Sequence, residues 1–144
     1  MLRLKDEHLD AMRAHGAQCY PNECIGILGG TVGSDRGDDA DKTVLEVRPV
    51  DNVFDGPHHN RSAIAPREFL RIDREYRAKG WKMVGFYHSH PDHPCKPSDF
   101  DRDNALPWAS YVIVKVDQGK PVDVTSWVLQ EDRGGFDPEE IKVS

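Results

Sequence analysis

The sequence from residue 88 reads His88-Ser89-His90-Pro91, then Asp92-His93-Pro94-Cys95-Lys96-Pro97, then Ser98-Asp99-Phe100-Asp101. The run Trp81 to His88 before it predicts a buried strand, and Ser98 predicts the start of a short helix ending near Leu106-Pro107. On a strand, residues two apart point to the same face, about 6.5–7 Å apart along the chain. His88 and His90 therefore aim both imidazoles at one point where the strand ends. A proline-rich loop, Pro91 to Pro97, can fold the helix back over the strand and bring the Asp101 carboxylate to the same point. Two histidines and one carboxylate leave a fourth tetrahedral position open to water, the arrangement of a catalytic zinc site; closed structural sites use four protein ligands, mostly Cys. Ser98-x-x-Asp101 also reads as a capping box, with an acid in the first turn that favours the helix dipole in any protein. The two readings are compatible, because a ligand at a capped helix start is a well-placed ligand.

Outward from this stretch the chain alternates helices and strands. Lys5 to Tyr20 predicts an amphipathic helix with Leu9, Met12, Gly16 and Cys19 at steps of three and four, ended by Pro21. Cys24-Ile25-Gly26-Ile27-Leu28 predicts a buried strand closed by Gly29-Gly30. Residues 31–42 carry four Asp and two Gly and are expected to form an exposed acidic loop. Thr43 to Val50 predicts a second strand, and residues 51–65 are irregular. Pro66 suits a helix start, with Phe69, Ile72 and Tyr76 on one face up to Gly80. Ser110–Val116 and Val122–Gln130 predict two strands joined by an Asp117-Gln118-Gly119-Lys120 turn, and residues 131–144 are left as a C-terminal tail. The order implies one α/β domain over residues 1–144, a mixed sheet sandwiched by helices.

Composition narrows the class. With 144 residues, 19 Lys+Arg against 25 Asp+Glu and a formal charge of −6, the chain is long enough for one core and lacks the basic balance of a general nucleic-acid binder. No apolar run is long enough to span a membrane, and Met1 to Asp6 lacks the apolar stretch of a secretory signal. Three cysteines cannot pair completely and are expected to be reduced thiols in a cytoplasmic protein.

His-Ser-His-Pro, six residues, Ser, two residues and Asp resembles the signature of the JAMM (MPN-plus, Mov34/Pad1-type) zinc metallopeptidases. Pro21-Asn22-Glu23-Cys24-Ile25-Gly26 matches the family's upstream glutamate at Glu23. Gly85-Phe86-Tyr87, His93-Pro94 and Lys96-Pro97 look like its small prokaryotic members, and the order of elements matches over roughly Lys5 to Gln130. The resemblance implies a JAMM/MPN-type, cytidine-deaminase-like fold, with His88, His90 and Asp101 holding one zinc ion per chain. It makes Glu23 the general base that takes a proton from the zinc-bound water and returns it to the leaving amine. Ser98 becomes a hydroxyl donor to the oxyanion, a role typically worth about 10²–10³ in rate. For Glu23 the residue-level reading alone is a solvent-exposed acid at a strand entrance.

Neighbouring readings fall away. No His-Glu-x-x-His exists for a zincin. Zinc deaminases need Pro-Cys-x-x-Cys, and Ser98 stands where the second cysteine of the Pro94-Cys95 string belongs. Cys95 lies within reach of the ligands as a fourth ligand or redox-sensitive thiol, although loop cysteines are more often incidental. Cys24 is expected in the core. His58-His59 and His93 raise the question of a second metal, but no acids sit at useful spacing; His58-His59 read as surface and His93 as an entrance residue. Phe54 and Trp108 are candidate walls of a groove. Arg133-Gly134-Gly135 resembles the end of a ubiquitin-like modifier but is followed by nine more residues.

The resemblance further implies hydrolysis of peptide or isopeptide bonds after the C-terminal Gly-Gly of a ubiquitin-like protein. For a bare prokaryotic core the implied partners are ubiquitin-like sulphur carriers, and a homodimer is compatible with it; one bacterial subgroup removes cysteine from such a carrier. Only glycine lets an extended tail pass close to a metal. The alternatives are a non-catalytic MPN-type interaction module, against which all five motif positions are filled, and a DNA-repair-associated protein, for which no DNA-binding segment is present.

Overall fold

The computed structural model describes residues 1–33 and 40–144. The elements, in order, are β1 (Leu2–Leu4), α1 (Asp6–Cys19), β2 (Ile25–Val32), β3 (Lys42–Val50), α2 (Pro66–Ala78), β4 (Lys82–Pro91), α3 (Asp99–Asp103), β5 (Ser110–Asp117), β6 (Lys120–Leu129), β7 (Phe136–Glu139) and β8 (Ile141–Val143). One eight-stranded sheet runs in the order β7-β6-β5-β4-β2-β3-β1-β8. It is mixed: β4 pairs parallel with β5 and β1 parallel with both β3 and β8, while the other pairs are antiparallel.

The helices cover opposite faces. Leu9 and Met12 of α1 pack with Leu2, Leu28, Val84, Tyr87, Val112 and Val114, and Ile72 and Tyr76 of α2 pack with Ile27, Met83 and Phe86. Ile27 and Leu28, adjacent on β2, enter different clusters because successive side chains on a strand alternate. The expectation of a mixed sheet between helices holds. α2 begins with Pro66 at its first turn and stops where Gly80, at φ +77°, takes the left-handed conformation beyond the last turn.

The sequence expectation missed β1 and carried α3 on to Leu106-Pro107, whereas it ends at Asp103 with Asn104 as its cap; three further boundaries differ, each for a pairing reason. Gly29 and Gly30 do not close β2. They lie inside it at register shifts against β4 and β3, and the missing side chain at Gly29 admits the Tyr76 ring, which a Cβ would meet at 2.5 Å. Thr31, Val32 and Lys42 accordingly belong to strands rather than to the acidic loop, of which residues 34–39 lie outside the described residues. β4 extends past His88 to Pro91 because β5 continues the ladder there, His90 opposite Lys115 and Pro91 opposite Val116. Residues 131–144, expected as a tail, form β7 against β6 and β8 against β1. These strands are too short to show a period, and they form because the edges of β6 and β1 offer unpaired backbone groups. Among the described residues no helix is long and apolar enough to cross a membrane.

Candidate functional site

β4 delivers two imidazoles and a hydroxyl to opposite faces. Ser89 faces the α1 side and accepts a hydrogen bond on Oγ from the Cys24 amide at 2.8 Å, which ties the start of β2 to the end of β4. His88 and His90, both buried, face the α2 side. Their Nε2 atoms stand 3.0 Å apart, and each lies 3.2 Å from Oδ2 of Asp101. Donor atoms bound to one zinc ion at about 2.0–2.1 Å with tetrahedral angles stand about 3.3–3.4 Å from one another. The trio therefore already has nearly the spacing that such an ion requires, and its nitrogen and carboxylate donors suit zinc. Nδ1 of His90 is 2.7 Å from the Pro94 carbonyl oxygen. A carbonyl only accepts, so Nδ1 carries the proton and Nε2 is left with its lone pair toward the centre.

Asp101 is placed by the expected capping box. Its backbone amide donates to Ser98 Oγ at 3.1 Å, and the Ser98 amide donates back to Asp101 Oδ2 at 2.9 Å. The loop before it is held on β5 and β6 by Cys95, whose thiol donates to the Ile113 carbonyl at 3.2 Å while Thr125 donates to the Cys95 carbonyl at 2.9 Å. Cys95 is thus a buried staple, not a neighbour of the ligand atoms, and burial pushes its thiol pKa up. That is the environment of an inert rather than a reactive cysteine. Cys24 sits in the core as expected.

The electrostatics follow from burial. Desolvation pulls the His88 pKa down, but the Asp101 carboxylate beside it more than reverses this and raises it to about 9. Burial pushes the Asp101 carboxyl the other way, upward, and the two histidines overcome it to hold the group well below the usual carboxylate range. His88 and Asp101 thus hold each other in their charged forms.

Glu23 is not the solvent-exposed acid that its position alone suggests. It is 3% exposed, and Oε1 accepts a hydrogen bond from Ser62 Oγ at 2.9 Å. Desolvation raises its pKa, against the opposing pull of His88, His90 and Ser62. The irregular stretch 51–65 supports it: the Glu23 amide donates to the His58 carbonyl at 2.7 Å, and Asn52 bonds the Arg61 carbonyl at 3.0 Å. Ser62 and Asn52 escape sequence reasoning because nothing periodic or motif-like marks them. The His93 ring lies with its centroid 4.5 Å from that of His90, tilted by 53°. One ligand atom each from Glu23, His90 and His93 lies within 4.8 Å of the others, so the acid missing from the local spacing comes from Glu23, far away in the sequence.

Beside the trio is a cavity of about 190 Å³ lined by Phe69, Phe86, Phe100, Leu106 and Tyr111, next to His88 and Asp101. Phe54 and Trp108 stand behind these walls: Phe54 packs edge-on to Phe100 at 5.4 Å and Trp108 lies against Phe86 at 5.9 Å. Arg133 spends its guanidinium on the carbonyls of Ala105 and Arg102. The Arg133-Gly134-Gly135 string is a turn between β6 and β7, not a tail.

Residues 5–130 match the family described as prokaryotic homologues of the JAB domain. A desampylase of Haloferax volcanii is 31% identical over 129 residues, 90% of this chain and 86% of that protein. A solution structure of a protein from Desulfitobacterium hafniense superposes with a TM-score of 0.82 at 35% identity, covering 100% of this chain and 93% of that one. A JAB1/MPN domain protein from Archaeoglobus fulgidus shares the fold at 19% identity, with a TM-score of 0.57 over 99% of this chain and 98% of its own.

Proposed function

The chain belongs to the family of prokaryotic JAB-domain homologues, and on that footing we propose that it is a zinc-dependent peptidase or isopeptidase. Its substrate is the bond after the C-terminal Gly-Gly of a ubiquitin-like or sulphur-carrier protein. The observation that carries the reading is the convergence of His88, His90 and Asp101 donor atoms at 3.0–3.2 Å, with the buried carboxylate of Glu23 alongside. The relative named desampylase supports a substrate in which a ubiquitin-like modifier is the acyl side.

His88, His90 and Asp101 would hold the ion. Zinc, when bound, supplies a Lewis acid that polarises the scissile carbonyl and makes water a nucleophile near neutral pH. The remaining work falls to the chain's own groups. Glu23, fixed by Ser62 through one oxygen, takes the proton of the attacking water and passes it to the departing nitrogen; its raised pKa makes it a stronger base than an exposed glutamate. Ser98 uses its oxygen to accept from the Asp101 amide, which leaves its hydroxyl hydrogen to donate to the oxygen where negative charge develops. A Gly-Gly tail suits such a site because its backbone can approach the centre without a Cβ in the way.

The test is direct. Purified protein should carry close to one zinc per chain, and incubation with ubiquitin-like carriers extended beyond Gly-Gly should release the extension, read by mass. A chain that cannot be loaded with zinc, or a loaded chain that leaves every such carrier intact, overturns the reading.

A further inference from the structure

Two candidate cation positions share one histidine. The first is the trio His88, His90 and Asp101; the second is Glu23, His90 and His93, whose ligand atoms lie within 4.8 Å of one another. Nδ1 of His90 is committed to the Pro94 carbonyl at 2.7 Å, so a single lone pair, on Nε2, serves both positions. One lone pair ligates one ion. The trio has its donors already at 3.0–3.2 Å and claims that nitrogen first. An ion at the second position is left with Glu23 and His93 as protein ligands. Both are available. Ser62 occupies one Glu23 oxygen and the other is spare among the described residues, while His93 sits with its ring centroid 4.5 Å from that of His90, tilted by 53°, and is only half-buried, on a loop that follows Asp92 at φ +58°.

We propose that Glu23 and His93 form a second, weaker zinc position that fills only when the metal is in excess and switches the enzyme off. The inference rests on the reading of the first site given above. Two protein ligands bind an ion less tightly than three, so the two positions fill in sequence. The second occupant coordinates the carboxylate that must otherwise take a proton, and a carboxylate bound to a cation is no longer a base. His93 thereby acts as a metal-responsive brake placed beside the catalytic centre.

The test measures zinc per chain by elemental analysis after dialysis of the metal-free protein against limiting and then excess zinc. Wild-type protein should take up one ion under limiting metal and two in excess; His93→Ala and Glu23→Gln should each stop at one. Replacing His58 and His59 together by Ala should leave the count at two, which separates the site from surface histidines. In parallel, wild-type turnover should rise to one equivalent of zinc and fall beyond it, and the zinc concentration for half-inhibition should rise at least about tenfold in His93→Ala. A wild-type chain that never exceeds one ion overturns the inference, as do two ions in both single variants. A wild-type chain that binds none overturns the proposed function instead.

Discussion

Glu23 and Ser62 set the most exposed consequence of the geometry at the level of single residues. The hydrogen bond from Ser62 lowers the Glu23 pKa against the desolvation that raises it. Ser62→Ala should raise that pKa further, so the acid limb of the kcat/KM profile moves to higher pH while zinc content stays at one per chain; an unmoved limb would remove Ser62 from the mechanism. Glu23→Gln should retain the first zinc and lower kcat by about 10²–10⁴, the usual worth of a positioned base. Full activity in that variant would exclude Glu23 as the base. His88 predicts a proton–metal competition with a definite sign. Its pKa is raised from 6.5 to about 9, so below pH 9 a cation must displace a proton and zinc affinity should climb with pH up to that point, up to about tenfold per unit. Without metal the same group contributes stability that is fully present below pH 6.5 and lost as pH rises through about 9. Melting of chelator-treated protein at these two pH values checks it, and equal melting temperatures would contradict the assignment. The sequence made His88, His90, Ser98 and Asp101 legible because strand alternation and a helix cap are local rules. Glu23 was legible only through family resemblance, and Ser62 and the Glu23–His93 encounter were not legible at all, because they arise where distant segments meet.

At the level of elements, the unit that matters is β4, the loop to Pro97, and α3. A five-residue helix has little stability of its own, and its Asp101 carboxylate is positioned by what pins the loop. Thr125→Val removes the hydrogen bond to the Cys95 carbonyl, the contact with the Cys95 thiol and the acceptor of the Trp127 indole N–H. It should destabilise the fold by about 1–3 kcal/mol and loosen zinc binding although none of the proposed ligands is touched; unchanged zinc affinity would show that β5 alone holds the loop. The sequence located both long helices and five of the strands, because apolar period and proline punctuation act within one element. It shortened β2 at Gly29 and β4 at His88, where the deciding partner is the neighbouring strand and, at Gly29, a ring from α2.

At the level of the whole molecule, β7 and β8 lie at opposite edges of the sheet order, yet Glu140 alone separates them in sequence. The Glu140 carbonyl also accepts from the Leu2 amide at 2.8 Å. Removing residues 136–144 should uncover both edges at once, lower the melting temperature and promote association through the freed ladder groups. Light scattering unchanged from that of the full chain would show the edges to be protected otherwise. Order of synthesis adds a consequence of this arrangement. The three proposed zinc ligands and the proposed base are all made by residue 101, whereas both edge strands follow β6, so a growing chain owns these groups before it can finish its sheet. An ion captured there during translation would grip β4 and α3 while β1 still waited for its outer partner, and nucleation would then begin at the end of the sheet that carries His88, His90 and Asp101.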